Sequence, residues 1–298
     1  MKITFYDPDE EVSRTKKGKN SSFTLNWADE LGWKENPFTL QNTIAAMAEE
    51  EQEINLFFIK QRRLATITAP TGRGKTTLLR WLQEELSNRN GFFVAYLQEH
   101  QATTPEQLRE ELADAFRGLF RKGREISTQE LLLLIQKKVR KQQLVLLLDD
   151  TDHYEEEHFS VLEALLTLPN TQILLTSTNK HKTLPAQNDL ELEVEKRTPE
   201  QYTQILRQRI ELVGGAGTHP FTEEVIKKMS KETSNTQEFL QLAMETAIHI
   251  ALNKVTQGEE TITKTPKSKN KTSSSGVKGR ERTKYDELIE SLGEELTK

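Results

Sequence analysis

Apolar positions along the chain fall into two alternating rhythms. Short, nearly continuous apolar runs at residues 64–68, 91–97, 144–148 and 172–176 read as strands, and a weaker one lies near 190–194. Between them the spacing lengthens to three and four. A helix is predicted over 41–63, with Ile44, Met47, Ile54 and Phe58 near one face, and others over 76–86 and 155–166. Start signals mark two more: Thr104-Pro105 pairs an N-cap with a first-turn proline, and Ser127 and Glu130 have capping-box spacing ahead of 131–135. Leu144-Val145-Leu146-Leu147-Leu148 does not alternate, as befits a strand buried on both faces. Strands of this kind alternating with helices predict an α/β fold, a parallel sheet sandwiched by helices, over residues 26–197.

After Thr198 the alternation stops. Thr198-Pro199-x-Gln201 caps one helix, Thr222 a second, and Asn235 or Thr236 starts a third, with a flexible turn at Gly214-Gly215-Ala216-Gly217. A small C-terminal helical lid is expected over 198–256. Outside these units, 1–25 reads as a flexible polar arm, with order starting near Trp27-Ala28-Asp29. A basic linker at 257–284 is rich in Lys, Ser and Thr and reads as disordered. Residues 285–298 form a short acidic amphipathic peptide with Leu288, Ile289, Leu292 and Leu296 in register.

Composition narrows the function classes. The 298 residues carry 41 basic and 46 acidic side chains, a net charge of −5, which excludes a generally basic nucleic-acid coat but not a local patch. No cysteine is present, so disulfides, cysteine zinc sites and thiol catalysis are excluded. No apolar stretch approaches a membrane span, and acid arrives too early for a signal peptide; a soluble, cytoplasmic protein without membrane insertion is expected. The six histidines lack metal-ligand spacing, and His153 is expected to be structural or solvent-facing.

The sharpest chemical signal is Ala69-Pro70-Thr71-Gly72-Arg73-Gly74-Lys75-Thr76-Thr77, between a strand and a helix. Phosphate oxygens need converging backbone N–H groups, and only a loop with minimal side chains lets the backbone approach that closely. Gly72 and Gly74 supply that freedom, Lys75 would reach the β- and γ-phosphates, and the Thr76 hydroxyl would ligate Mg²⁺. The helix N-terminus adds partial positive charge. Ala69 stands where a first glycine is usual, a one-methyl departure. The strand at 144–148 ends in Asp149-Asp150-Thr151-Asp152. Asp149 is positioned to hold the metal's water shell, and Asp150 to activate water, one methylene shorter than the common glutamate. At the end of the next strand, Asn179 or Thr176 would sense the γ-phosphate.

These motifs resemble the AAA+ branch of P-loop ATPases, of ASCE type, and within it the origin-recognition/initiator and ExeA- or TniB-like ATPases. Leu31-Gly32-Trp33-x-x-Asn36-Pro37-Phe38 is similar to the segment such families place before the nucleotide pocket. Tyr202-x-x-Ile205-Leu206-x-x-Arg209 resembles the box that opens their lid, and Pro220-Phe221-Thr222 the start of its next helix. The resemblance implies ATP and Mg²⁺ as ligands, nucleotide-dependent homo-oligomers, and action on DNA or a DNA-associated complex. Two departures bear on turnover. Gln237 stands where a sensor arginine is expected, and no arginine lies between Arg140 and Arg197, leaving Lys180 or Lys182 to replace an arginine finger. No helix-turn-helix pattern follows the lid.

Eight basic residues between Lys264 and Lys284 face one acid, Glu281. Full phosphate contact would give a salt slope of about −7 on a log–log plot, and no aromatic residue is interleaved for base stacking. The end peptide would dock on a protein partner or back on its own domain. The expected function is an ATP-dependent switch with slow hydrolysis. The alternative is a nucleotide-gated scaffold with little turnover that presents its end peptide to a partner; a kinase built on the same loop fits the lid and acid pair less well.

Overall fold

Five strands, β1 (Leu64–Thr68), β2 (Phe92–Leu97), β3 (Gln143–Leu148), β4 (Thr171–Ser177) and β5 (Asn188–Glu193), pair in parallel in the order β2-β3-β4-β1-β5 among the described residues. The computed structural model describes residues 27–39, 47–98, 102–117, 126–139, 142–180 and 188–262, together with Ile289 and Leu292. The predicted arm at 1–25, the basic run at 264–284, residues 41–46, Lys182 and the rest of the end peptide lie outside them.

The apolar run of β3 shows why the sheet is buried on both faces. Leu144, Leu146 and Leu148 enter one core cluster with α4 (Pro105–Arg117), α5 (Thr128–Lys138) and α6 (Glu156–Leu166). Val145 and Leu147 point the other way, into a cluster with α2 (Ala48–Ile59) and α3 (Lys75–Ser87). Period-two projection divides the strand between the two layers, so each residue has helix cover.

The start signals act as read. The Ser127 side chain accepts from Glu130 N–H while the Glu130 carboxylate accepts from Ser127 N–H, closing a capping box, and Thr104 Oγ1 accepts from Gln107 N–H at 3.2 Å. The helix predicted over 41–63 is shorter at its end. Gln61 adopts φ +51°, and Arg62 N–H turns back to Phe57 O at 3.1 Å, a left-handed stop that apolar spacing alone does not reveal. Phe57, rather than Phe58, is the aromatic residue fully buried there.

A third cluster holds α7 (Pro199–Leu212), α8 (Glu223–Glu232) and α9 (Thr236–Ile262), with Tyr202 and Phe239 stacked 3.9 Å apart. Residues 27–39, although they precede the sheet in sequence, pack into this helical cluster: α1 (Trp27–Glu30) supplies Ala28, followed by Leu31 and Trp33. Gly215 makes room, since a Cβ there would stand 2.7 Å from Trp33 Nε1. From the end peptide, Leu292 is fully buried in this same cluster and Ile289 packs against it.

Candidate active site

The ends of β1, β3 and β4 open onto a cleft of about 680 Å³ between the sheet and the helical unit. β1 lies in the sheet interior, and its C-terminal end runs into the loop 69–74. Gly72 has φ +80° and Gly74 φ +98°, the latter as the left-handed N-cap of α3. Both lack space as well as permitted conformation. A Cβ on Gly72 would stand 2.7 Å from Asn235 Oδ1, and one on Gly74 would stand 2.6 Å from the Met47 methyl. Lys75 Nζ donates to Ala69 O at 2.5 Å, folding the ammonium over the start of the loop. Thr71, Gly72, Gly74, Lys75, Thr76 and Thr77 all line the cleft.

Because β4 sits between β1 and β3, the carboxylate of β3 is reached across β4. Thr176 on β4, fully buried, donates through Oγ1 to Asp149 Oδ1 at 2.6 Å and accepts from Asp150 N–H at 2.9 Å. On the other side, Tyr96 of β2 donates its hydroxyl to Asp149 Oδ2 at 3.0 Å. Burial first, and then the adjacent Asp149 charge, push the Tyr96 phenol up to about 12, which keeps it a donor. Asp149 is thereby clamped at both oxygens. Asp150 adopts φ +53°, a left-handed conformation that aspartate tolerates better than most residues, and it faces the same cleft.

Sequence reasoning left Thr176 and Asn179 open as sensors. The Thr176 hydroxyl is committed to the two aspartates. Asn179 is exposed and does not line the cleft; its carbonyl accepts from Ser177 Oγ at 2.7 Å, and its N–H donates to Asp152 at 3.3 Å. Thr178 lines the cleft instead, held by two 2.8 Å bonds from its N–H to the Asp152 carboxylate. Burial would raise the Asp152 pKa. Hydrogen bonds from Thr178, the Asp150 side chain and Asn179 N–H outweigh it and hold the carboxyl below its ordinary range. His153 Nε2 meets Ala102 O at 2.9 Å, a structural contact. Lys180 forms a 3.6 Å exposed pair with Glu191.

Tyr96 carries no motif in the sequence and reaches Asp149 only through the register of β2 and β3; Asp152 ends the acidic stretch 149–152, but its capture of the Thr178 amide follows from the packing of β3 beside β4. The opposite wall is apolar, with Phe38, Met47, Ile205, Leu240 and Met244. The helical unit is joined to the loop through its backbone: Gln237 N–H, in the first turn of α9, donates to Gly72 O at 3.2 Å. Two glycines whose Cβ positions are filled, a hydroxyl at the start of α3 and a clamped carboxylate form a donor set that fits a nucleotide's phosphates with Mg²⁺.

Residues 59–184 match the family described as AAA domain. No curated protein matches the chain. Among solved structures, Cdc6p from Pyrobaculum aerophilum aligns at 17% identity and a TM-score of 0.58, covering 74% of this chain and 66% of that one. A Drosophila ORC structure with bound DNA aligns at 16% and 0.56, covering 83% and 66%. The Aeropyrum pernix ORC2 protein aligns at 15% and 0.53, covering 89% and 72%. The chain thus spans just under two thirds of the length of the first two. The stretch that matches the AAA domain holds the loop 69–74 and the strand that ends at Asp149, and the chain shares its fold with the Cdc6p and ORC structures.

Proposed function

We propose that the protein is a cytoplasmic, ATP-binding switch that hydrolyses ATP slowly and acts on DNA or a DNA-associated complex. One observation carries the nucleotide part: Lys75, Thr76, Asp149 and Asp150 line a single cleft, and the first turn of α9 is hydrogen-bonded to the phosphate loop. Occupancy of the cleft is therefore felt by the lid. The DNA part is supported by the fold shared with the DNA-bound Drosophila ORC structure.

In this reading the loop amides, Lys75 and the N-terminal end of α3 bind the phosphates. Thr76 and Asp149 would hold Mg²⁺, which when bound would neutralise phosphate charge. The Asp150 carboxylate takes the proton of the attacking water as its oxygen bonds to the γ-phosphorus and the bond to the β–γ bridging oxygen breaks. Thr176 and Tyr96 orient the acids without touching substrate, and Thr178 faces the γ-phosphate end. The short Asp150 side chain sets a low rate, because a displacement of about 1 Å can cost on the order of 10²-fold.

A second reading, a scaffold with little turnover, is favoured by Gln237, which lines the cleft with a neutral side chain. Its proposed partner-docking peptide conflicts with the burial of Leu292 in the lid core. Phosphate release measured with and without DNA separates the two, with Lys75→Ala as control. DNA-stimulated release that the variant abolishes supports the switch. Tight ATP binding with no release under any condition supports the scaffold, and absence of nucleotide binding by the wild type sinks both.

A further inference from the structure

Besides Lys75, two cations line the cleft among the described residues, Arg209 and Arg197. Arg209 is committed to the apolar end, where Nη1 donates to Pro37 O at 3.1 Å and Phe38 O at 3.4 Å. Arg197 differs. Its side chain is only 4% exposed, Nη1 is 2.6 Å from Glu50 Oε1 of α2, and Nη2 is buried with no hydrogen-bond partner. A buried guanidinium with one arm of its fork unmatched is costly unless an anion completes it.

Arg197 lines the same cleft as Thr71, Gly72, Gly74 and Lys75 of the loop. Glu50 lies one helical turn from Met47, whose methyl fills the space beside Gly74. The Tyr202 phenol lies within electrostatic reach of both Arg73, in the loop, and Arg197. Arg197 also sits in the connector between β5 and α7, where the neighbouring Lys196 Nζ donates to Thr233 O at the end of α8 at 2.7 Å.

We propose that Arg197 donates through Nη2 to the terminal phosphate of bound ATP, supplying in cis the cation that the lid helix lacks at Gln237. This rests on the nucleotide reading above. Glu50 holds one side of the planar fork and thereby aims the other, a geometry that lysine cannot reproduce. Since the connector leads directly into α7, loss of the terminal phosphate releases a contact at the root of the lid. Arg197 is thus a sensor of ATP against ADP as well as a binding residue.

The test is titration of the full-length chain with Mg²⁺-ATP and Mg²⁺-ADP, alongside thermal melting. The Glu50→Gln/Arg197→Gln double variant removes both charges together, so no lone buried carboxylate remains. ATP affinity is expected to fall about ten- to hundredfold, the range of a charge-assisted hydrogen bond, with ADP affected less than about threefold. Arg197→Lys keeps the ion pair and removes the second arm; it should lose ATP-over-ADP preference while melting near the wild-type temperature, and it decides the matter if the double variant does not fold. Equal weakening of ATP and ADP marks Arg197 as structural and overturns the proposal, as does an unchanged ATP preference. A wild type that binds neither nucleotide overturns the underlying reading instead, and the same titration shows it.

Discussion

The backbone N–H of Gln237 and the carbonyl of Gly72 are joined at 3.2 Å, across the boundary between the lid and the phosphate loop. Beside this bond, Asn235 caps α9 by accepting Glu238 N–H at 2.9 Å, and the same Asn235 oxygen fills the space where Gly72 would carry a Cβ. One loop residue and one helix cap therefore share a volume. A change in either is transmitted to the other.

Gly72→Ala should consequently uncap α9 as well as strain the loop. A left-handed alanine alone costs on the order of 1 kcal/mol or more, and loss of an Asn cap typically about 1 kcal/mol further. Gly217→Ala is the control, since Gly217 also has positive φ, +56°, but open space around its Cβ position. Amide hydrogen exchange in the first turn of α9 should rise in Gly72→Ala and stay unchanged in Gly217→Ala. Equal protection in both variants would refute the shared-volume argument.

Thr176 makes a second test, because its hydroxyl bridges Asp149 and Asp150 from a site without solvent. Thr176→Val keeps the shape but leaves Asp150 N–H without its acceptor, at a cost of about 1–3 kcal/mol. Phosphate release should fall with it, as the two acids lose their common anchor. Thr176→Ser retains the hydroxyl and should recover most of the rate. A valine variant with wild-type stability and turnover would remove Thr176 from the positioning role.

Much of this fold was legible because its signals are local. The parallel strands announce themselves as unbroken apolar runs, and Ser127, Thr198 and Thr222 mark helix starts through hydrogen bonds that close within three residues. The loop 69–77 and the acids after β3 were legible for the same reason: each is a contiguous stretch with one chemical job. What escaped was non-local. Tyr96 is 53 residues from the carboxylate it bonds, and only the β2–β3 register, with Tyr96 opposite Leu147, brings them together. Similarly, Thr178 rather than Asn179 faces the cleft because Asp152 captures both amides of that turn, a contact no spacing rule anticipates. Arg197 drew notice only as the end of an arginine-free window, and its buried ion pair with Glu50 spans most of the α/β unit in sequence.

Acid should expose the Asp152 latch. Its carboxyl is held below the ordinary value of 3.8, so the folded state binds its proton less readily than the unfolded chain. That contribution to stability is complete above the unfolded pKa and is lost as pH falls from about 4 toward the lower folded value. Asp152→Asn should melt lower at pH 7 and show a shallower decline below pH 4. Parallel acid limbs for variant and wild type would show that the latch carries no linked proton.

Leu292 decides whether the end peptide belongs to the lid. Its side chain is fully buried among the residues that hold α1, α7 and α9 together, and Ile289 packs beside it. Truncating a buried leucine to alanine removes its transfer free energy and leaves a cavity, about 2–5 kcal/mol in total. Leu292→Ala should therefore lower the melting temperature of the full chain by several degrees and loosen α9, while an exposed position on a free tail would change stability by no more than about 0.5 kcal/mol. Deleting residues 285–298 should match the substitution in direction and exceed it in size, since Ile289 goes as well. If both proteins melt with the wild type, the peptide is not part of the lid core, and it becomes available to a partner as the scaffold reading requires.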